Sequence, residues 1–245
     1  MDQQKCITVA QKFFDEHFST AECAFVAGSI MRGEGKPHSD IDFVILYGKD
    51  FEDVRRESQI YNGTPIEVFV HNEQAQDYFF AKDIKRGMCV MPSMVAEGHI
   101  IGRNITLGQH RQEKAKNIIK QGPPVLELQE MNRRKYAISD SLDDLRDERS
   151  LGEVMGSLSD LYQSLGDFYL RAQGEWSGHG KGLIRRLRQV DAGFSERYEN
   201  AFSKAFNGNL SDLMKLVEAV LQPYGGFYWD GDCQKASDDW KTFKA

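Results

Sequence analysis

The chain has 245 residues, 40% hydrophobic and 28% charged, a balance typical of a folded globular protein rather than a disordered one. A formal net charge of −6 argues against a nucleic-acid partner, since a protein that coats nucleic acid needs bulk positive charge. No apolar run is long enough to cross a bilayer, and the four cysteines lack disulfide or zinc spacing, so we expect a cytoplasmic protein with no membrane partner.

The chain begins with one helix-like segment and two strand-like segments. Apolar residues between positions 5 and 18 recur at helical spacing. The short apolar run Cys23–Ala27 is stopped by Gly28, which is typical of a buried strand. The run from Ile41 to Tyr47 predicts a second strand, which carries acidic residues at its start.

A hairpin and two helices follow. Residues 54–61 and 64–71 look extended and flank Asn62-Gly63, the strongest short-range hairpin signal, so we predict that they pair antiparallel. Asn72 can cap a helix that ends at Gly87. A shorter helix ending at Gly98 would precede a strand at 99–101.

The second half of the chain has a different character. After about residue 107 the strand-like runs disappear, and apolar residues recur at steps of three and four, as in Leu158, Leu161 and Leu165. We therefore predict an α+β protein with a small mixed sheet flanked by helices in residues 1–108 and an all-helical bundle in residues 109–245. The boundary is expected near 105–125, and within that window Gln121-Gly-Pro-Pro124 is the clearest local break.

Acidic residues at the start of the second strand carry the main chemical signal. Asp40 and Asp42 are two positions apart, so in a strand their side chains share one face. Two neighbouring carboxylates repel each other, and Mg²⁺, which takes one or two carboxylates with phosphate and water, would compensate. If the Glu67 strand lies alongside, Glu67 completes a three-carboxylate cluster able to hold two metal ions. Glu67 could instead be a solvent-facing residue of an edge strand.

The turn after the first strand predicts a phosphate site. Gly28 lets the backbone approach a phosphate closely, and Ser29 adds a hydroxyl beside the N–H groups of an expected helix start. We assign Ser39, directly before Asp40, to the same nucleotide site. Phosphate binding next to cations is what phosphoryl transfer requires, because that chemistry depends on positioning and charge neutralisation.

This ordered set of motifs resembles the DNA polymerase beta-type nucleotidyltransferase superfamily. Within that superfamily, the chain looks most similar to small bacterial antibiotic nucleotidyltransferases of the aminoglycoside and lincosamide type, which join such a domain to a helical one. The resemblance implies that Gly28 and Ser29 bind the triphosphate and that Asp40 and Asp42 bind Mg²⁺ or Mn²⁺. Glu67 would be the third carboxylate, acting as a metal ligand or as the base toward the acceptor.

The helical half offers three further candidates. Lys181 lies in a glycine-rich turn before a basic helix, where it could reach the triphosphate or simply be a solvated loop lysine. Asp140 and Asp144 are one helical turn apart and could bind a cationic acceptor or act as base. The plainer interpretation of these two acids is a solvated helix face.

The expected activity is transfer of a nucleoside monophosphate, AMP from ATP or another NTP, to a hydroxyl of a small-molecule acceptor such as an aminoglycoside-like antibiotic, with release of pyrophosphate. One alternative is the same transfer to a protein or RNA, as in toxin–antitoxin nucleotidyltransferases. Another is a non-catalytic regulatory module that binds nucleotide. The sequence names neither the acceptor nor the oligomeric state, because acceptor pockets have no fixed residue spacing.

Overall fold

The computed structural model describes residues 1–233, 235–236 and 238–242, which divide into two compact units, Met1–Pro123 and the chain from Pro124 onward. The first unit contains, in chain order, α1 (Gln3–His17), β1 (Cys23–Ala27), β2 (Ile41–Leu46), β3 (Arg55–Tyr61), β4 (Thr64–His71), α2 (Glu73–Lys85), α3 (Val90–Glu97), β5 (His99–Gly102) and α4 (Ile105–Gln121). The described part of the second unit is helical, with α5 (Leu128–Asp144), α6 (Leu151–Ala172), α7 (Lys181–Val190), α8 (Ala192–Phe206), α9 (Ser211–Leu221) and two 3₁₀ turns (Gln222–Tyr224 and Asp238–Lys241). The predicted α+β fold is confirmed.

The five strands form one mixed sheet in the order β3-β4-β2-β1-β5. Only β2 and β4 run parallel among these strands; the other neighbours are antiparallel. The predicted hairpin between β3 and β4 is confirmed. Its two turn residues, Asn62 and Gly63, have φ of 48° and 76°, the positive values that a tight two-residue hairpin turn needs.

The two faces of the sheet are covered by different helices. Ile41, Phe43 and Ile45 of β2 pack in a buried apolar cluster with residues of α1. The intervening residues Val44 and Leu46 pack in a second cluster, with residues of α2, α3 and α4. Since side chains alternate along a strand, Asp42 lies on the face of Val44, opposite α1.

The compact units divide later than the predicted boundary at 108/109. Helix α4 runs through that position, and its Ala115 is fully buried in the cluster that holds Val44 and Leu46. A buried polar contact also fixes α4 to α2, since Nε of Arg111 donates to Oε1 of Gln76 at 2.6 Å. The division after Pro123 falls within the Gln121–Pro124 break.

The second unit is built around a core of aliphatic and aromatic side chains contributed by α5 to α9. Helix α6 starts with a capping box, in which Ser150 and Glu153 each satisfy a backbone N–H of the other. None of the helices in the described residues is long and apolar enough to span a bilayer.

Candidate active site

The turn after β1 is packed directly against Asp42. Gly28 ends the strand with φ of 90°, a left-handed conformation that L side chains rarely adopt. Ala27 pairs with Asp42 across the sheet, so the following residue lies beside the aspartate. A Cβ atom on Gly28 would overlap Oδ2 of Asp42 and lie 2.9 Å from its carboxyl carbon. Glycine is therefore required here both for the backbone angle and for the space that the carboxylate occupies.

The segment from Ser29 to Ser39 forms a closed loop. The hydroxyl of Ser29 donates to Oγ of Ser39 at 3.1 Å, and the N–H of Lys36 donates to the same oxygen at 2.8 Å. These bonds place Ser29 and Ser39 next to each other, directly before Asp40. The helix start expected after Ser29 is wrong: residues 29–33 form turns, with Gly33 at φ of 75°.

Helix α1 contacts the loop from Ser29 to Ser39. Nε2 of Gln3 donates to the carbonyl oxygen of Met31 at 2.6 Å, and Ile30 is buried among residues of the α1 cluster. Burial, together with the nearby charge of Asp42, raises the pKa of the Cys6 thiol on α1 to about 11. The thiol is thus uncharged at neutral pH.

Asp42 and Glu67 lie side by side on neighbouring strands. They are paired residues of the parallel β2–β4 ladder, so their side chains extend from the same face of the sheet. Both are partly exposed, in contrast to Ile41 and Phe43, which are fully buried. The edge-strand interpretation of Glu67 is wrong, because β4 lies between β3 and β2. Asp40 directly precedes β2.

The Glu67 carboxylate is held by an arginine that the sequence reasoning did not assign. Nε of Arg56 on β3 donates to Oε1 of Glu67 at 3.0 Å, and Nη2 donates to the same oxygen. Among the described residues, no three His, Cys, Asp or Glu side chains are grouped so as to hold a metal ion. Glu67 is paired with Arg56, and the roles of Asp40, Asp42 and Glu67 as metal ligands stay predictions.

The residues at this end of the sheet nevertheless fit a Mg²⁺ ion. Asp42 and Glu67 offer hard carboxylate oxygens from one face of adjacent strands. Mg²⁺ commonly takes one or two protein carboxylates and completes its shell with substrate phosphates and water, so three protein ligands are not required. Because Gly28 has no side chain, the backbone of this turn lies directly against the carboxylate of Asp42, and glycine also lets a backbone approach a phosphate closely.

The remaining predicted site residues lie in the second unit. Lys181 is exposed at the first position of α7, where the N–H of Gly180 donates to Oε1 of Gln163 at 3.2 Å. Asp140 is exposed on α5, and Asp144 ends that helix in an ion pair with Arg149. The roles of Lys181, Asp140 and Asp144 therefore stay predictions.

A glycine turn in contact with an aspartate on one strand, beside an acid on a parallel neighbour, is an arrangement that suits a metal ion and a nucleotide phosphate. Residues 9–90 match the family model described as "Nucleotidyltransferase domain", and this segment contains every predicted site residue of the first unit. Residues 9–90 therefore resemble a nucleotidyltransferase domain, in keeping with the DNA polymerase beta-type superfamily.

Comparison with solved structures finds a crystal structure of a nucleotidyltransferase-like protein from Exiguobacterium sibiricum 255-15. The two chains are 12% identical, with a TM-score of 0.39, over 91% of this chain and 77% of that chain. This degree of similarity adds nothing to the assignment, which depends on the family match to residues 9–90. No curated protein matches the chain.

Proposed function

We propose that the protein is a metal-dependent nucleotidyltransferase that moves AMP from ATP to a hydroxyl of a small, aminoglycoside-like acceptor and releases pyrophosphate. The observation that carries this proposal is the contact between the Gly28 turn and Asp42, next to Glu67 in register on β4. This contact puts a backbone suited to phosphate beside carboxylates suited to Mg²⁺. Another NTP can replace ATP as donor under the same mechanism.

Each residue has a part in the proposed reaction. The turn at Gly28 and the hydroxyls of Ser29 and Ser39 receive the triphosphate. Asp40 and Asp42 would hold Mg²⁺ or Mn²⁺, and the bound ion would supply positive charge to neutralise the phosphates. Glu67 either joins these two ligands or accepts the proton of the acceptor hydroxyl.

The bond changes follow from the chemistry of phosphoryl transfer. The acceptor oxygen forms a new bond to the α-phosphorus as the bond from that phosphorus to the bridging oxygen breaks. Pyrophosphate leaves with the electron pair of the broken bond, and the hydroxyl proton passes to a carboxylate or to water. Little covalent chemistry is left to the protein, so alignment by the turn and the carboxylates is its main contribution.

Residues of the second unit complete the proposal on the substrate side. Lys181, at the start of the basic helix α7, is proposed to contact the triphosphate. Asp140 and Asp144 are proposed to bind a cationic acceptor such as an aminoglycoside. Replacement of Lys181 with Ala should raise the KM for the nucleotide, whereas replacement of Asp140 should act on the KM for the acceptor.

The test is a pyrophosphate-release screen of hydroxylated small molecules with each NTP in Mg²⁺ or Mn²⁺. Asp42→Asn and Asp40→Asn should each abolish release without loss of the fold. Asp50→Asn removes an exposed acid from the loop after β2 and is the matched control, expected to leave release unchanged.

Three other outcomes would count against the proposal. Unchanged turnover in both aspartate variants would reject the mechanism. Labelled nucleotide found in a macromolecular fraction would favour a protein or RNA acceptor. Tight binding of nucleotide without product, across the whole panel, would favour a regulatory module.

A further inference from the structure

Arg56 and Glu67 form an ion pair next to Asp42. Two nitrogens of the guanidinium, Nε and Nη2, donate to one oxygen of Glu67, with Nε at 3.0 Å. The side chain of Glu67 is 19% exposed and that of Arg56 is 64% exposed. A positive charge therefore approaches a mostly covered carboxylate from the solvent side, at the place where the proposed function requires a metal cation.

The hairpin register explains why Arg56 reaches Glu67. Arg56 is paired with Phe69, two residues beyond Glu67 on the same face of β4. The guanidinium carbon lies 5.3 Å from the centroid of the Phe69 ring, so the side chain has an aromatic surface to lie on besides its carboxylate partner. The neighbouring Arg55 is paired with Val70, on the opposite face of the sheet.

We propose that Arg56 is a positioning residue that holds Glu67 while no divalent cation is bound and competes with that cation for the carboxylate. This inference rests on the proposed function. The guanidinium is the exposed partner of this pair and is screened by solvent, so a doubly charged cation that arrives with a triphosphate can displace it. Arg56 then keeps its contact with Phe69. The arrangement disfavours binding of the metal alone and favours its entry together with nucleotide.

The test measures Mn²⁺ binding rather than activity. Metal-free full-length protein, without nucleotide, is titrated with Mn²⁺, and the free ion is followed by electron paramagnetic resonance. Arg56→Gln should bind Mn²⁺ about tenfold more tightly than the wild type, which corresponds to about 1.4 kcal/mol. Arg55→Gln removes the same charge from the opposite face of the same strand, where the partners are Asp53 and Glu57, and should change nothing.

Two additional measurements separate competition from a structural role. The gain in Mn²⁺ affinity should vanish in the double variant R56Q/E67Q, because the carboxylate that binds the ion is gone. Added Mn²⁺ should raise the thermal unfolding temperature of R56Q more than that of the wild type. If Arg56 only stabilised the hairpin, R56Q would unfold at a lower temperature with unchanged Mn²⁺ affinity, and the inference would be overturned.

Equal or weaker Mn²⁺ binding by R56Q would also overturn the inference, as would the absence of binding in every variant. Pyrophosphate release by the wild type is measured in parallel. If the wild type releases pyrophosphate and R56Q binds Mn²⁺ with unchanged affinity, the role of Arg56 is refuted and the proposed function is not. Absence of release under all metals and acceptors, with tighter Mn²⁺ binding in R56Q, removes the proposed reaction and leaves the competition for Glu67.

Discussion

Replacement of Gly28 with alanine should destabilise the first unit through two separate effects. The left-handed backbone at φ of 90° costs an L residue roughly 1–2 kcal/mol. The new methyl group would overlap the carboxylate of Asp42, and forced overpacking of this kind costs about 1–3 kcal/mol. Together the two effects predict a loss of about 2–5 kcal/mol in the free energy of unfolding.

Gly33→Ala is the matched control, because Gly33 has φ of 75° and open space around the position of a Cβ atom. It should lose only the backbone part, about 1–2 kcal/mol. All three tryptophans follow residue 123, so unfolding of the first unit is best followed by hydrogen exchange of the amides in β1 and β2. A Gly28→Ala loss no greater than that of Gly33→Ala would refute the reasoning, as would an undiminished loss in an Asp42→Ala background.

Three further predictions concern stability. Burial lowers the pKa of His71 to about 4, against about 6.5 in the unfolded chain. The neutral, buried imidazole therefore contributes fully to the free energy of unfolding above pH 6.5, and this contribution is lost as the pH falls toward 4. Urea unfolding should show that the free energy of unfolding falls by about 3 kcal/mol between pH 6.5 and pH 4. His71→Phe, which keeps a ring stacked on Phe79, should remove most of this dependence on pH. Arg111→Met should cost about 3 kcal/mol in the same assay, because it removes the partner of the buried Gln76 carbonyl and one of the two cations bound to Asp77. Lys114→Met, at the exposed end of that network, should cost less than about 1 kcal/mol, and equal losses in the two variants would contradict this. Ser150→Ala should cost about 1 kcal/mol by removing the cap of α6, read as a shift in the tryptophan-detected transition, with Ser159→Ala in mid-helix as the near-neutral control.

Local signals in the sequence were enough to predict most elements of the first unit. The Asn62-Gly63 pair fixes a hairpin because both residues tolerate positive φ, and the Asn72 side chain caps α2 through the N–H of Ala75. The turn after Ser29 could not be predicted in the same way. Its shape depends on bonds across the loop, such as Ser29 to Ser39, which local propensity does not contain.

The positions of site residues could be predicted from the sequence where they depend on the alternation of side chains along one strand. They could not be predicted where they depend on the order of strands in the sheet. Alternation puts Asp42 on the same face of β2 as Val44 and Leu46, but its pairing with Glu67 requires β4 to lie beside β2 in parallel, which depends on long-range contacts. Arg56 was missed although the hairpin register could have revealed it. Counting back from Asn62-Gly63 pairs Arg56 with Phe69 and hence places it diagonally across from Glu67.

The two-residue turn between β3 and β4 fixes the register of the hairpin, so residues cannot be inserted into it without consequence. One residue added to that turn would shift β3 by a single position and rotate Arg56 to the other face, while the β2–β4 ladder could keep Glu67 beside Asp42. One residue added to the exposed loop at 48–50 would change neither pairing. That loop is therefore the place to graft an affinity peptide or a fluorescent reporter onto the first unit.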